Sequence, residues 1–291
     1  VDVSVITTVR DGERALPPLA AALDAQRLPR DAFEWVVIDN ASSDTTAAVA
    51  RELGAKVVAE PVPGRARARN TGVAAARGRL LAFTDVDCRP SPEWLERLSA
   101  CLERSPLAGG PVEVTTGASP TPWERLDAAW RFHQERNVLG AGWAATANLG
   151  ISREAFTAVG GFDATLTGGG EDVDLCLRAR AAGFGIVFCP DAVVEHPAED
   201  GARGTLRRGF EQAVSLDLLH HRHGLTPGRY WRNPGALVRG DWALRRFGIE
   251  PADIPAQERR DVLRVARLEY AARIAGSVWA PLRRRLRPSS S

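Results

Sequence analysis

The chain has 291 residues, 44% hydrophobic and 25% charged, which suits one large globular domain with an appendage and excludes disorder or collagen-like repeats as the main state. Its net charge of +2 argues against a uniformly basic nucleic-acid binder, so no nucleic-acid partner is expected. The mean conceals a split: residues 203–291 hold 18 Arg against 8 acids, net +10, which leaves −8 on residues 1–202.

Residues 3–9 (VSVITTV) are rich in β-branched side chains and stop at Asp11-Gly12, so they read as a strand. Leu16, Leu19, Ala20, Leu23 and Leu28 form an apolar stripe that predicts a helix over 14–28. Residues 34–38 make a second strand closed by Asp39-Asn40, and Ser43-Asp44 opens a helix that Gly54 stops. A third short strand covers 56–59, and a helix over 65–77 ends at Gly78. A fourth strand, 80–84, runs into Asp85-Val86-Asp87, and a further helix spans 92–102. Strands alternating with helices in this way mean βαβ units and a largely parallel sheet. Ligands of such sheets sit at the carboxyl ends of the strands. That is where Asp11, Asp39, Asp85 and Asp87 collect. Neither G-x-G-x-x-G nor G-x-x-x-x-G-K-[ST] occurs, which disfavours a dinucleotide oxidoreductase and a P-loop enzyme.

Past residue 110, Val112–Thr115 reads as a strand and 123–136 as an amphipathic helix through Trp123, Leu126, Trp130 and His133. Residues 140–150, rich in small side chains around Trp143, read as a flexible binding loop. Three glycines, 168–170, precede Glu171-Asp172 at the start of a helix that ends at Ala182-Gly183. A carboxylate delivered there by a flexible loop suits a general base better than a cap. A strand over 186–188 follows, then Val193, Val194, Glu195 and His196. The four Cys lack C-x-x-C spacing and read as reduced thiols. With no 18-residue apolar run and no leader pattern, the expected location is the cytoplasm. The tail predicts a helix over 203–224, a turn-rich stretch over 227–255 and a last helix over 258–287 kinked at Pro281. Three partners compete for that last helix: the domain itself, a second copy in a homodimer, or the inner face of the cell membrane.

Five segments, in order, resemble family 2 glycosyltransferases of GT-A type fold, bacterial and nucleotide-sugar dependent. They are Glu34–Asp44, Ala68–Gly72, Leu81–Asp87 with its D-x-D, Gly160–Asp163 and Gly170–Leu175. The resemblance covers about residues 3–196. It implies an α/β, Rossmann-like, mostly parallel sheet flanked by helices over 1–202, with 203–291 as a basic helical extension. It also implies inverting hexosyl transfer from a nucleoside-diphosphate sugar, UDP- or dTDP-linked by expectation. The acceptor would be a hydroxyl of a glycan, a lipid-linked molecule or a small molecule. Cleaving the donor leaves negative charge on a diphosphate, so a divalent cation, Mn²⁺ or Mg²⁺, is implied as cofactor. By resemblance Asp87 and His196 hold that metal. Asp85 meets ribose or metal-bound water, Thr7, Thr8 and Asp39 meet the base, and Arg69 lies near the diphosphate. Asp172 is the general base with Glu171 in support, and Trp143, Asn148, Gly169 and Gly170 face the acceptor. The first strand departs from the family, with Thr8-Val9-Arg10-Asp11 where Pro-Thr-Tyr-Asn is usual. Two rivals remain at this stage. A nucleotidyltransferase would need a Gly-rich loop where only Gly12 occurs. A silent nucleotide-sugar or glycan-binding module would not need the full set of acids.

Overall fold

The computed structural model describes residues 1–223, 244, 245, 250 and 254–286, without the side chains of 281–286. It divides into two compact units. The first comprises residues 1–113, 132–167 and 171–197. Its sheet has the order β3-β2-β1-β4-β8-β6-β9. Strands β1 (Val3–Val9), β2 (Phe33–Asp39), β3 (Lys56–Ala59) and β4 (Leu80–Phe83) are mutually parallel. Helices α1 (Leu16–Asp24), α2 (Thr46–Glu52) and α3 (Arg65–Ala75) connect them. β8 (Leu149–Ser152) runs antiparallel between β4 and β6 (Leu107–Gly109), and β6 pairs in parallel with β9 (Ile186–Phe188).

Strand alternation explains the two cores. Val3, Val5 and Val9 with Phe33, Trp35 and Val37 pack on one face, together with Trp94, Leu95 and Leu98 of α4 (Trp94–Leu102). Ile6, Val36, Ile38, Leu81 and Phe83 pack on the other, against α3, α7 (Arg153–Ala158) and α8 (Glu171–Ala181). Both faces are covered, as a parallel sheet requires. A second, small sheet has the order β5-β10-β7, from β5 (Arg89–Pro90), β10 (Val194–Pro197) and β7 (Val112–Thr115).

Three expectations are corrected. The helix predicted over 123–136 is broken. α5 (Pro122–Trp130) opens with a capping box, Thr121 and Glu124, but Phe132 adopts φ +57° and turns the chain into the short α6 (Gln134–Arg136) and a π turn. Residues 144–151 are buried, not a flexible loop. A side chain at Gly150 would strike Leu98 and Leu102, so smallness here serves close packing. The cysteines are not all thiols: Cys101 at the end of α4 is disulfide-bonded to Cys189, just after β9. Cys88 and Cys176 are buried thiols, and burial raises the pKa of both, Cys176 to about 12.

The second unit comprises residues 114–131, 168–170 and 198–291. α9 (Ala202–His223) and α10 (Arg259–Leu286) pack closely: a side chain at Gly276 would strike the Phe210 carbonyl oxygen. α5 contributes Leu126 to a core with Val262, Val265, Ala266 and Tyr270. The sequence placed α5 in the first domain, whereas this unit gathers it with the tail. The turn-rich stretch predicted over 227–255 lies, apart from residues 244, 245, 250, 254 and 255, outside the described residues. Helix α10 runs past Pro281. Among the described residues no helix is long and apolar enough to cross a membrane.

Candidate active site

The parallel strands end at one edge of the sheet, and the loops there are stitched together. Asp11, at φ +52°, accepts bonds from the Ser43 backbone N–H and hydroxyl, which hold its carboxyl below the usual range. The Ser42 hydroxyl accepts from Asp11 N–H, and Thr46 accepts from Gly12 N–H. Asp11 is thus spent on fixing the β1 and β2 loops to each other. Asp39 ends β2 half-buried, with one oxygen accepting from Ser42 N–H three residues on. Asn40, one position on, is buried. Its amide donates to the carbonyls of Glu60 and Val62, and its oxygen accepts from Gly64 N–H. It therefore shapes the loop that opens α3, a role that the Asp39-Asn40 strand-end signal did not reveal.

Helix α3 supplies the cations. Arg69 is buried, and its guanidinium bridges two carboxylates, donating to Glu171 at 2.6 Å and to Asp85 at 3.4 Å. The same guanidinium lies 5.7 Å from the centre of the Phe162 ring. Arg69, expected near the diphosphate, clamps two acids. Arg65, one turn earlier and far more exposed, lies 3.6 Å from Glu171 and was missed. Its signal was the alternating Arg65, Arg67, Arg69 run. Asn70 clamps the Gly160–Asp163 turn, donating to the Phe162 carbonyl and accepting from Phe162 N–H.

The two acids that open α8 differ sharply. Burial would raise the pKa of Glu171, but Arg69 and Arg65 overcome it and hold the carboxyl below the usual range. Its Oε2 is buried without a hydrogen-bond partner. Asp172 goes the other way. Burial, then the adjacent Glu171 charge, pushes it up to about 6, despite bonds accepted from Val173 N–H at 2.9 Å and Thr146 N–H at 3.4 Å. That value places a carboxylate where it can accept a proton near neutral pH.

Asp87 and His196 come together because β5 and β10 pair antiparallel, Val194 opposite Pro90 and Glu195 opposite Arg89. His196 is buried, with Nε2 3.3 Å from Asp87 Oδ1. Its Nδ1 lies 2.7 Å from the Pro197 carbonyl oxygen. A carbonyl only accepts, so Nδ1 carries a proton, and Nε2 faces the Asp87 carboxylate. Imidazole with carboxylate is a fitting donor pair for a divalent transition metal. Cys88 lies in the same group of possible ligand atoms. Burial, then Asp85 and Asp87, raise the pKa of its thiol.

Other expected site residues sit elsewhere. Thr7 is buried, its hydroxyl accepting the Trp35 indole N–H, a core contact; Thr8 is half-buried at the strand end. Asn148 is a correction. It is fully buried and its amide is consumed: Nδ2 donates to the Pro111 and Ala192 carbonyls and Oδ1 accepts from Trp94 Nε1. Both of its amide protons are taken. Trp143 is half-buried against the second core. Gly169 and Gly170 take φ +108° and +82° and fall in the second unit, where a side chain at Gly170 would strike Leu219.

The family model for glycosyl transferase family 2 matches residues 4–156, half of the chain. The chain belongs to glycosyltransferase family 2. The glycosyltransferase AglE of Haloferax volcanii is 32% identical over 204 residues, 67% of each protein. The pre-mycofactocin glycosyltransferase of Mycobacterium tuberculosis is 32% identical over 85% of this chain, which spans about half, 53%, of that relative. Among solved structures, the mannosyltransferase PcManGT of Pyrobaculum calidifontis, in complex with GDP-Man and Mn²⁺, superposes with a TM-score of 0.65 at 20% identity, covering 95% of this chain and 87% of that one. TarS 1–349 of S. aureus with UDP reaches 0.55 at 16% identity, covering 97% and 92%. The fold is of GT-A type, and this family 2 protein is a sugar-transferring enzyme.

Proposed function

We propose that this enzyme moves a hexosyl group from a nucleoside-diphosphate sugar to an acceptor hydroxyl, with metal assistance and inversion at the anomeric carbon. The observation that carries the reading is the Asp87–His196 pair, an imidazole nitrogen 3.3 Å from a carboxylate oxygen. These two residues would hold a divalent cation, which when bound neutralises charge on the departing diphosphate. Solved neighbours bound to GDP-Man with Mn²⁺, and to UDP, support this class of donor.

The chain's own residues do the rest. Asp39 stands at the end of β2 to accept an N–H from the base edge. Arg65, on the first turn of α3 and more exposed than Arg69, would meet the diphosphate, while Arg69 bonds Glu171 and Asp85. Asp172 takes the proton of the attacking hydroxyl, and Glu171 keeps a negative charge beside it. In-line attack assisted by one base inverts the anomeric configuration. The test is a panel of UDP-, dTDP- and GDP-sugars with and without Mn²⁺, read by thermal shift and by donor turnover, with product configuration assigned by NMR. Stabilisation by a nucleotide sugar that requires Mn²⁺ and disappears in Asp87→Ala supports the reading. Full turnover in Asp87→Ala and Asp172→Asn overturns it.

A further inference from the structure

We infer that the outward face of α10 is a docking surface for an anionic lipid bilayer. Of this 28-residue helix, Val262, Val265, Ala266, Glu269, Tyr270, Arg273 and Ala280 are buried. The opposite side, at helical spacing, carries Arg260, Arg264, Leu268, Ala275, Val278 and Trp279, all exposed. Leu268, Val278 and Trp279 are 44%, 56% and 45% accessible, half of the large apolar side chains left exposed among the described residues. Isolated exposed apolar groups need no explanation, but three on one stripe do.

Charge and apolar surface are ordered along the stripe. Toward its start, Arg260, Leu263, Arg264, Arg267 and Leu268 line a depression of about 300 Å³. Three guanidiniums around leucine side chains suit a phosphate oxygen above and hydrocarbon below. Arg260 and Arg264 make no ion pair with a carboxylate among the described residues. Asp261 borders this face, while Glu269 is buried and paired with Arg273. The apolar strip then continues through Leu268, Ala275 and Val278 to Trp279, a side chain favoured at the headgroup boundary. Arg283, Arg284, Arg285 and Arg287 extend the positive charge in the sequence beyond it. Basic and apolar groups on one face match the negative surface and shallow hydrocarbon of a bilayer together. A soluble anion would use only the arginines. A second copy would set the arginines of one helix against an apolar strip or against each other.

The test uses the full chain, sedimented with phosphatidylcholine vesicles with and without phosphatidylglycerol, at low and high salt. Light scattering of the free protein runs in parallel. Binding is expected with phosphatidylglycerol and should weaken with salt. Each arginine removed should weaken it about fivefold, so Arg260→Gln with Arg264→Gln should lower it more than tenfold. Leu268→Ser with Trp279→Ser should lower it at every salt concentration. Donor turnover should be unchanged in both variants, which shows that they fold. No vesicle binding by the intact chain, or binding that neither variant alters, overturns the inference. So does a dimer that Leu268→Ser with Trp279→Ser dissolves, which would give the face to a second copy. Relief of binding by inorganic phosphate at equal ionic strength would reduce the site to a free-anion site.

Discussion

Asp127 in the second unit and Asp172 in the first are both acids set among arginines, and they have opposite characters. The Asp127 side chain is almost wholly buried and saturated. Arg208 bonds one oxygen, while Arg131 at 3.2 Å and Glu199 N–H at 2.9 Å bond the other. Asp172 receives only backbone N–H groups, and the nearby Arg69 is already committed to Glu171 and Asp85. Burial and an arginine therefore do not make a site. What marks the site is an acid whose neighbours satisfy something else, so that its charge stays conditional. Glu269 occupies a middle position: burial raises it, Arg273 lowers it, and one of its oxygens lacks a partner.

The contrast can be broken most directly by neutralising each acid. Asp172→Asn should lower kcat by about 10²–10⁴-fold with the melting temperature held or raised, measured by transfer kinetics and calorimetry. Asp127→Ala should do the reverse. Opening a buried charge cluster costs about 3–5 kcal/mol in denaturant unfolding, while turnover per folded molecule is unchanged. A large rate loss in a stable Asp127→Ala would erase the distinction. Reducing the Cys101–Cys189 bond, which closes a loop of 88 residues in sequence separation, should cost about 2–4 kcal/mol, read as a fall in melting temperature with dithiol reductant. The smallest effect is in pH. A carboxyl raised to about 6 binds its proton more tightly folded than unfolded. Its contribution to stability is therefore favourable in acid and falls as pH rises from about 4 to 6, while activity rises over the same approach to neutrality. Stability and rate profiles of wild type and Asp172→Asn should separate in that window and coincide below it.

Much of this was legible in the sequence, for local reasons. β1 to β4 alternate with helices whose starts and stops lie within a few residues of their signals, D-x-D lies in the loop that follows β4, and Glu171-Asp172 open α8 after the glycines that announce it. The failures are non-local. The disulfide joins residues 88 apart, which spacing cannot pair. The small residues at 140–150 read as mobile because the side chains that crowd Gly150, Leu98 and Leu102, lie far back in the chain. Asn148 read as a ligand contact because its three partners come from residues 94, 111 and 192. The Arg69–Glu171 bond was not legible because the two residues lie 102 apart.

The chain passes between its two units five times, and the second unit draws its core from α5 as well as from the tail. No single cut separates them. Ending the chain near residue 202 would leave Leu126, Trp123 and Trp130 stripped of Val262, Val265 and Tyr270, an open apolar face rather than a trimmed enzyme. The tail accordingly cannot be inherited or exchanged as a cassette. Changes in 259–280 that alter the buried side of α10 must be matched within 122–131, so the part of the molecule that looks most like an addition is bound to the history of its middle.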